Sequence, residues 1–178
     1  MTVSQPDSPT TLPGGAATIR PAAIADVPEI YYLLEAYSSQ GNLLPRSMSE
    51  LYRHVRDFFV VVLDKRIAAC AALEIFTEDL GEIRSLAVVD TCKGRGFAKT
   101  LVSQAVVEAT RLGLRRLMAL TYTPEFFYKL GFAHVAKGAL PEKVWGVCVK
   151  CYKFNACDET AVLLELGGPL AQTKADHE

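Results

Sequence analysis

A glycine-containing loop at residues 92–101, CKGRGFAKTL, constrains the fold of this chain more than any other feature. It follows the apolar stretch EIRSLAVV, a predicted strand, and it precedes a predicted helix that runs from Phe97 to Arg111 and ends at Gly113. A helix start presents unpaired N–H groups and a partial positive charge. Glycines before it allow the backbone to turn its amides toward one anion. The loop is therefore a candidate binding site for a phosphate or a pyrophosphate.

Two well-known phosphate-binding motifs are absent from the loop. It has no GKS or GKT of the Walker type, and the three glycines and downstream acid of the dinucleotide-binding fingerprint are missing. Short glycine motifs also match by chance. Taken alone, the loop is equally compatible with a tight turn between strand and helix whose charges are solvated.

Composition and charge exclude several classes of function. Half of the 178 residues are hydrophobic and the net charge is −1, so the chain has no basic footprint for nucleic acid. No apolar run approaches the roughly 18 residues of a membrane span. The N-terminus has neither a basic n-region nor an apolar h-region, so it does not read as a secretory signal. We therefore expect a cytoplasmic protein with reduced thiols.

The order of predicted elements indicates one α/β domain. Early strands form a hairpin at residues 58–76, whereas later strands are separated by helices, which predicts a mixed sheet. Asp26 is a candidate cap for the first helix. We expect the domain to cover residues 17–166, after a disordered tail at 1–16 and before a flexible tail at 167–178.

The stretch SLAVVDTCKGRGFAKTLVSQAVVEATRLGLRRLMALT, followed ten residues later by Gly131-Phe132, resembles the acetyl-CoA-binding core of the GNAT acyltransferase superfamily. The loop motif of that superfamily is Gln or Arg, two residues, Gly, one residue, then Gly or Ala. Lys93, Gly96 and Ala98 match these places, with lysine keeping the charge. The resemblance implies an α/β GNAT fold with a mixed, mostly antiparallel sheet of six to seven strands that splays at the acetyl-CoA site.

The same resemblance implies acetyl-CoA as the co-substrate, and the sequence predicts no metal site beyond the open question of the C-terminal cysteines. The strand before the loop would bind the pantetheine arm through its backbone, and the loop amides would bind the pyrophosphate. The residues implied in coenzyme binding are Leu86, Ala87, Val88, Lys93, Gly94, Arg95, Gly96, Phe97 and Ala98.

A narrower resemblance concerns the acceptor. The segments NLLPRS, GEIRSLAV, LMALT and LPEKVWGVC resemble the short, stand-alone bacterial N-acetylglutamate synthases. This resemblance implies acetyl transfer to the α-amine of L-glutamate, the first step of arginine biosynthesis. It implies Glu82 and Thr121 as catalytic residues, and it implies that Leu44 and Arg46 contact the glutamate carboxylates.

The residues themselves support an acidic acceptor and leave alternatives open. A planar guanidinium at Arg46 suits a carboxylate, although a loop arginine can simply be solvated. Strand alternation places Glu82 and Arg84 on one face. Glu82 is therefore a candidate base or the partner of Arg84, and Arg84 is a candidate ligand for a second carboxylate or the partner of Glu82. Thr121 is equally explained as a strand residue or as the cap of the next helix.

At the position of the usual general acid, the sequence departs from the superfamily pattern. The tyrosine that usually serves in this superfamily is replaced by Phe127, and Tyr128 is one residue later, a turn of about 100° on a helix. This departure keeps two alternatives open: acetylation of another small amine or protein amine, and a non-catalytic module that binds acetyl-CoA.

Five cysteines complete the candidate list. Cys148, Cys151 and Cys157 have a C-x2-C-x5-C spacing that suits free thiols, a disulfide or an incomplete zinc site. Cys70 is expected in the core and Cys92 at the surface. We expect a small amino acid as the partner molecule, and a homodimer is one option for the assembly.

Overall fold

The computed structural model describes residues 9–12, 17–140 and 157–167. The chain divides into two compact units, each discontinuous in sequence. The first comprises Met1–Glu74 and Glu82–Ala105, and the second comprises Ile75–Gly81 and Val106–Glu178. Two features of the sequence lie outside the described residues. One is the segment LPEKVW, a predicted helical turn of which only Leu140 is described; the other is the pair Cys148 and Cys151.

The first unit is built on strands in the spatial order β1-β2-β3-β4-β5. Its pairs β1–β2, β2–β3 and β3–β4 are antiparallel. The elements are β1 (Thr10–Thr11), β2 (Ala17–Pro21), α1 (Val27–Ser38), α2 (Met48–Arg53), β3 (Phe58–Leu63), β4 (Arg66–Ile75), β5 (Leu80–Val88) and the first part of α3 (Phe97–Arg111).

One apolar cluster holds the helices α1 and α2 against the strands of this unit. Ile30 and Leu34 of α1, Leu51 of α2, and Phe58 and Val60 of β3 are all buried. Burial at i and i+4 in α1 explains why this segment forms an amphipathic helix. The continuous apolar run FFVVVL, buried at its first four residues, suits a strand whose side chains pack on both faces.

The second unit contains strands in the order β6-β8-β7. β6 pairs with β8 over six residues, and Thr121 lies opposite Thr160. Its core packs Leu80, Met118, Leu140 and Ala161. The elements are β6 (Arg116–Thr121), α4 (Pro124–Tyr128), β7 (Ala133–His134) and β8 (Thr160–Glu165).

The element predictions hold with small differences. Seven strands lie within residues 17–140 and 157–167, and the shortest of them, β7, has only two residues, Ala133–His134. The eighth strand, β1, lies in the stretch that the composition predicts to be a disordered tail; Thr10 and Thr11 pair with Ile19 and Thr18. The expected count of six to seven strands is thus one too low, because pairing to an edge strand can order a segment of polar, turn-forming composition.

Candidate active site

The loop between β5 and α3 has the backbone of an anion-binding turn. Gly94 and Gly96 have φ values of +78° and +83°, a left-handed region that favours glycine. A Cβ built at either position meets nothing within 4 Å, so conformation and not crowding selects glycine here. α3 begins directly after the loop, at Phe97. Open space beside amides at a helix start fits a diphosphate.

The two loop cations are held at the rim of this turn. Lys93 pairs with Asp90 at 2.6 Å, and its Nζ lies 5.2 Å from the centre of the Tyr37 ring. The hydrogen bond to Asp90, followed by Tyr37, raises the pKa of Lys93. The Arg95 guanidinium lies 5.5 Å from the Phe97 ring. Both side chains are exposed, so they are available to screen an incoming anion.

The strand that leads into the loop is tied to α1. The Tyr37 hydroxyl donates to the backbone carbonyl of Val88 at 2.7 Å. Ala87 is buried, whereas Leu86 and Val88 are half-buried. Because Tyr37 contacts both the end of β5 and Lys93, it couples the predicted pantetheine strand to the predicted pyrophosphate loop.

Glu82 lies in an ion-pair cluster at the start of the first unit's part of β5. Its side chain is only 3% exposed, and one of its oxygens lies 3.5 Å from Arg84 Nε. Arg84 Nη1 also donates to Glu74 of β4. Glu82 and Arg84 thus share a face, as the alternation predicts. Arg84 is already engaged by two carboxylates, so a substrate carboxylate would have to compete for it.

Arg46 has a very different environment. Its Nη1 donates to Ser85 Oγ at 3.3 Å, and its guanidinium carbon lies 5.6 Å from the centre of the Phe58 ring. Its Nε is buried without a hydrogen-bond partner among the residues that the structure describes. Burial lowers the pKa of Arg46, and the charge of Arg84 lowers it further. This is a half-buried cation with unused hydrogen-bonding capacity, which is the arrangement that an anionic ligand completes.

The loop that carries Leu44 and Arg46 is fixed at its end by a capping box. Ser47 Oγ accepts from the Glu50 amide at 3.2 Å, and the Ser47 amide donates to the Glu50 carboxylate at 2.9 Å. These reciprocal bonds define the start of α2. Arg46 therefore precedes a rigid helix start, which limits the positions its side chain can reach. Leu44 is half-buried.

Thr121 belongs to the second unit. It is buried, and its Oγ1 accepts from the Thr123 amide at 3.0 Å and lies 3.3 Å from Thr123 Oγ1. Phe127 is buried between Phe126 and Phe132 with edge-to-face ring contacts, while Tyr128 is 40% exposed. The position of the missing tyrosine is thus used for core packing, and Thr121 remains the candidate hydroxyl at the end of β6.

The three described cysteines differ in burial. Cys70 is buried, as expected, and burial raises its pKa to about 12. The expectation of an exposed Cys92 is wrong: it is 9% exposed, because the short helical turn at Asp90–Cys92 turns it inward. Cys157 is half-buried. Among residues 9–12, 17–140 and 157–167 no group of three metal-ligating side chains occurs.

Three residues that sequence reasoning missed take part in this site: Tyr37, Glu74 and Ser85. Tyr37 and Ser85 act through contacts between segments 51 and 39 residues apart, for which one sequence carries no signal. Glu74 is on the strand neighbouring β5. Its place opposite Arg84 could have been sought by asking which acidic residue of the adjacent strand shares the face of Glu82.

The mixed sheet and the glycine loop at the start of α3 fit an acyltransferase of the kind that uses acetyl-CoA. Residues 27–132 match the model described as "Acetyltransferase (GNAT) family". The chain belongs to that family, and the predicted α/β GNAT fold with a mixed sheet and acetyl-CoA as co-substrate is confirmed. It is an N-acetyltransferase.

Relatives by sequence include proteins of two lengths. The chain is 34% identical over 155 residues to an uncharacterized N-acetyltransferase of Chlorobaculum tepidum, covering 87% of this chain and all of that protein. It is 30% identical over 143 residues to the amino-acid acetyltransferase of Mycobacterium tuberculosis, covering 79% and 82% of the two chains. It is 37% identical over 127 residues to that of Neisseria meningitidis, but these are 70% of this chain and only 29% of the relative.

Two solved structures resemble the chain at similar levels of sequence identity. The N-acetylglutamate synthase of Neisseria gonorrhoeae, complexed with coenzyme A and N-acetyl-glutamate, superposes with a TM-score of 0.77 at 32% identity, covering 84% of this chain and 35% of that one. The Rv2747 protein of Mycobacterium tuberculosis, in complex with CoA and NLQ, has a TM-score of 0.72 at 29% identity, covering 83% and 98%.

No helix in the described ranges is long and apolar enough to cross a membrane.

Proposed function

We propose that the chain transfers the acetyl group of acetyl-CoA to the α-amine of L-glutamate, as an N-acetylglutamate synthase of arginine biosynthesis in the cytoplasm. The observation that carries this proposal is Arg46, a half-buried guanidinium with a buried, unpartnered Nε and no ion pair to a carboxylate of the described residues. An acceptor with a carboxylate would satisfy the unpartnered Nε, whereas an amine without one would leave Arg46 with only the longer-range charges of Glu74, Glu50 and Asp57. The relatives named amino-acid acetyltransferase support the same acceptor class.

The backbone of the loop supports the proposed coenzyme-binding residues. In the proposal, the amides from Gly94 to Ala98 hold the pyrophosphate, with Lys93 and Arg95 at the rim, and the backbone of Leu86–Val88 receives the pantetheine arm. The coenzyme supplies an activated thioester. The open space beside Gly94 and Gly96 supports this assignment.

Glu82 is the proposed base. An amine attacks only in its neutral form, so a carboxylate must take up its proton before or during attack. A side chain that is 3% exposed is shielded from bulk water, and Arg84 and Glu74 fix its orientation through the shared guanidinium. Arg84 would bind the second carboxylate of glutamate only by exchanging Glu82 or Glu74 for it.

Thr121 is the proposed hydroxyl donor to the departing thiolate. Its oxygen accepts the Thr123 amide, and its hydrogen is available to the thiolate when Thr123 Oγ1, 3.3 Å away, is the donor in the contact between the two hydroxyls. In this proposal the Thr121 hydroxyl takes the role of the tyrosine hydroxyl that is absent because Phe127 stands at that position.

The assignment of the acceptor is tested by thiol release from acetyl-CoA with L-glutamate, L-glutamine, L-aspartate, a polyamine and a lysine peptide. We expect the highest kcat/KM for L-glutamate. A preference for the polyamine or the peptide would refute the glutamate assignment while leaving the family intact. Binding of acetyl-CoA without turnover on any acceptor would instead favour a non-catalytic module, for which the buried Phe127 is the motivating observation.

The chemical roles are tested by Glu82→Gln and Thr121→Ala. Loss of a general base lowers kcat by about 100-fold or more. Loss of one donor to the leaving group is expected to cost about 10-fold or more in kcat. Glu108→Gln and Thr110→Ala are matched controls, because Glu108 pairs with Arg111 and Thr110 bonds the Val106 carbonyl within α3. Full turnover in Glu82→Gln would contradict the assignment of the base.

A further inference from the structure

Ser85 has a backbone conformation that its place in the chain does not require. Its φ is +54°, in the left-handed region that non-glycine residues seldom occupy. Two other non-glycine residues of the described chain share this feature, Asp64 and Lys65, and they form the two-residue turn between β3 and β4. Such a turn demands positive φ at both central positions. Ser85 lies inside β5, where no turn explains it.

This conformation allows Ser85 to make two contacts with other segments. Its Oγ accepts from Arg46 Nη1 at 3.3 Å, and its carbonyl lies 3.6 Å from Cys70 Sγ, which donates to it from β4. Strained backbone at a site is retained when the surrounding structure fixes it. The buried Cys70 contact is one such constraint, and the Arg46 contact is what the strain makes available.

The contact with Ser85 occupies only one side of the Arg46 guanidinium. Nη1 is used by the hydroxyl, the guanidinium carbon lies over the Phe58 ring, and Nε has no partner. A neutral hydroxyl orients the guanidinium without neutralising its charge, whereas a carboxylate at this place would do both. The arrangement holds the cation still and keeps it available for an anion.

We propose that Ser85 is a positioning residue, which uses the left-handed bend of β5 to orient Arg46 for the carboxylate of the acceptor. This inference rests on the proposed function, because it concerns how Arg46 is presented to an amino-acid substrate. Ser85 contacts neither the reacting amine nor the thioester in this proposal. It sets acceptor affinity through the orientation of Arg46.

Three substitutions separate the hydroxyl from the backbone. Ser85→Ala removes the hydroxyl and keeps a Cβ, Ser85→Gly removes the hydroxyl and relieves the strained φ, and Ser85→Asn tolerates the left-handed region and restores an acceptor oxygen. We expect Ala and Gly to raise the KM for L-glutamate by about fivefold to tenfold. We expect kcat and the KM for acetyl-CoA to change by less than about twofold, and Asn to recover part of the lost affinity.

A double variant tests whether Ser85 acts through Arg46. If it does, Ser85→Ala in an Arg46→Ala background adds no further increase in the KM for L-glutamate. An additive increase would overturn the inference. So would a normal KM in Ser85→Gly combined with a raised KM in Ser85→Ala, since the backbone and not the hydroxyl would then matter.

Crystal structures of the free protein test the inference without turnover. We expect the Arg46 guanidinium to leave the Phe58 ring in Ser85→Ala and to keep its position in Ser85→Asn. An unmoved Arg46 in Ser85→Ala would refute the positioning role even if L-glutamate proves to be the substrate. Conversely, wild-type protein that does not acetylate L-glutamate refutes the proposed function, and a displaced Arg46 in Ser85→Ala would still support the part that Ser85 plays.

Discussion

Strand β2 and the loop before α2 each contain an arginine, Arg20 and Arg46, and the two have opposite environments. Arg20 donates to both oxygens of Asp26, at 2.6 and 3.0 Å. The hydrogen bond to Asp26 is the main reason that the pKa of Arg20 is raised. Arg46 contacts a hydroxyl and a ring and has no ion pair to a carboxylate of the described residues; burial lowers its pKa, although the charges of Glu74, Glu50 and Asp57 act in the other direction. The bidentate ion pair with Asp26 satisfies the charge of Arg20 within the fold. The charge of Arg46 is available to an anionic ligand.

The contrast separates stability from function within one unit. Removing Arg20 leaves the Asp26 carboxylate, whose side chain is 13% exposed, without its counter-ion. Removing Arg46 leaves no described carboxylate without an ion-pair partner and deletes a cation whose burial is poorly compensated. Arg20 should therefore matter to unfolding and Arg46 to the acceptor.

The largest effect is expected for Arg46→Ala. The KM for L-glutamate should rise by about 100-fold, because a bound carboxylate would lose its charged partner. The free energy of unfolding should fall by no more than about 0.5 kcal/mol. Steady-state kinetics with L-glutamate and urea unfolding measure the two quantities.

Arg46→Lys is the matched control for charge. Lysine keeps the positive charge but lacks the planar donor pair, so the KM should rise by about 10-fold, between wild type and alanine. Equal KM values for L-glutamate in wild type and Arg46→Ala would break the comparison, since Arg46 would then be an arginine without a ligand.

The next effect is expected for Arg20→Ala, in the opposite measurement. Breaking the partly buried pair should lower the free energy of unfolding by about 2 kcal/mol, while the KM for L-glutamate changes by less than about twofold. Urea unfolding and the same kinetic assay give both values. An Arg20→Ala protein as stable as wild type would show that the ion pair is energetically neutral.

The sequence predicted one of these two arginines and not the other. Arg46 was found through a resemblance, since the segment LPRS matches a family in which this loop meets the substrate. Asp26 was predicted as a helix cap, and it does occupy the position before α1, but its carboxylate accepts from Arg20 and from the Ala23 amide instead of the first turn of α1. The choice between two donors depends on the path of the chain between β2 and α1, which propensities do not encode.

The same limit explains what was found and missed in the site as a whole. Strand and helix positions could be predicted because hydrophobic period and glycine punctuation are local properties. The turn at Gly94 and Gly96 could be predicted for the same reason. Ser85 was missed because nothing local indicates a left-handed serine inside a strand, and Tyr37 because its partner Val88 is distant in sequence.

Tyr37→Phe carries the comparison to the coenzyme end of the first unit, where a smaller effect is expected. The variant loses the 2.7 Å bond to Val88 and the interaction of the hydroxyl with Lys93, but it keeps the ring 5.2 Å from Lys93 Nζ. We expect the KM for acetyl-CoA to rise by about threefold to fivefold with the KM for L-glutamate unchanged. A rise in the KM for L-glutamate alone would place Tyr37 with Arg46 and not with the coenzyme.

The smallest effect is a pH dependence of stability that the Arg20–Asp26 pair has and Arg46, which has no such ion pair among the described residues, lacks. The hydrogen bond from Arg20 holds the pKa of Asp26 below its ordinary value of 3.8. A carboxyl with a lowered pKa in the folded state stabilises the protein above its ordinary pKa, and this contribution is lost as the pH falls through the lowered value. The stability difference between wild type and Arg20→Ala should therefore shrink below about pH 4.

Urea unfolding at pH 7, 5, 4 and 3 measures this difference. Asp26→Asn is the control, because its own difference from wild type shrinks in the same range. A difference that stays constant down to pH 3 would mean that Arg20 stabilises through packing of its aliphatic stem, and that charge pairing is not what distinguishes it from Arg46.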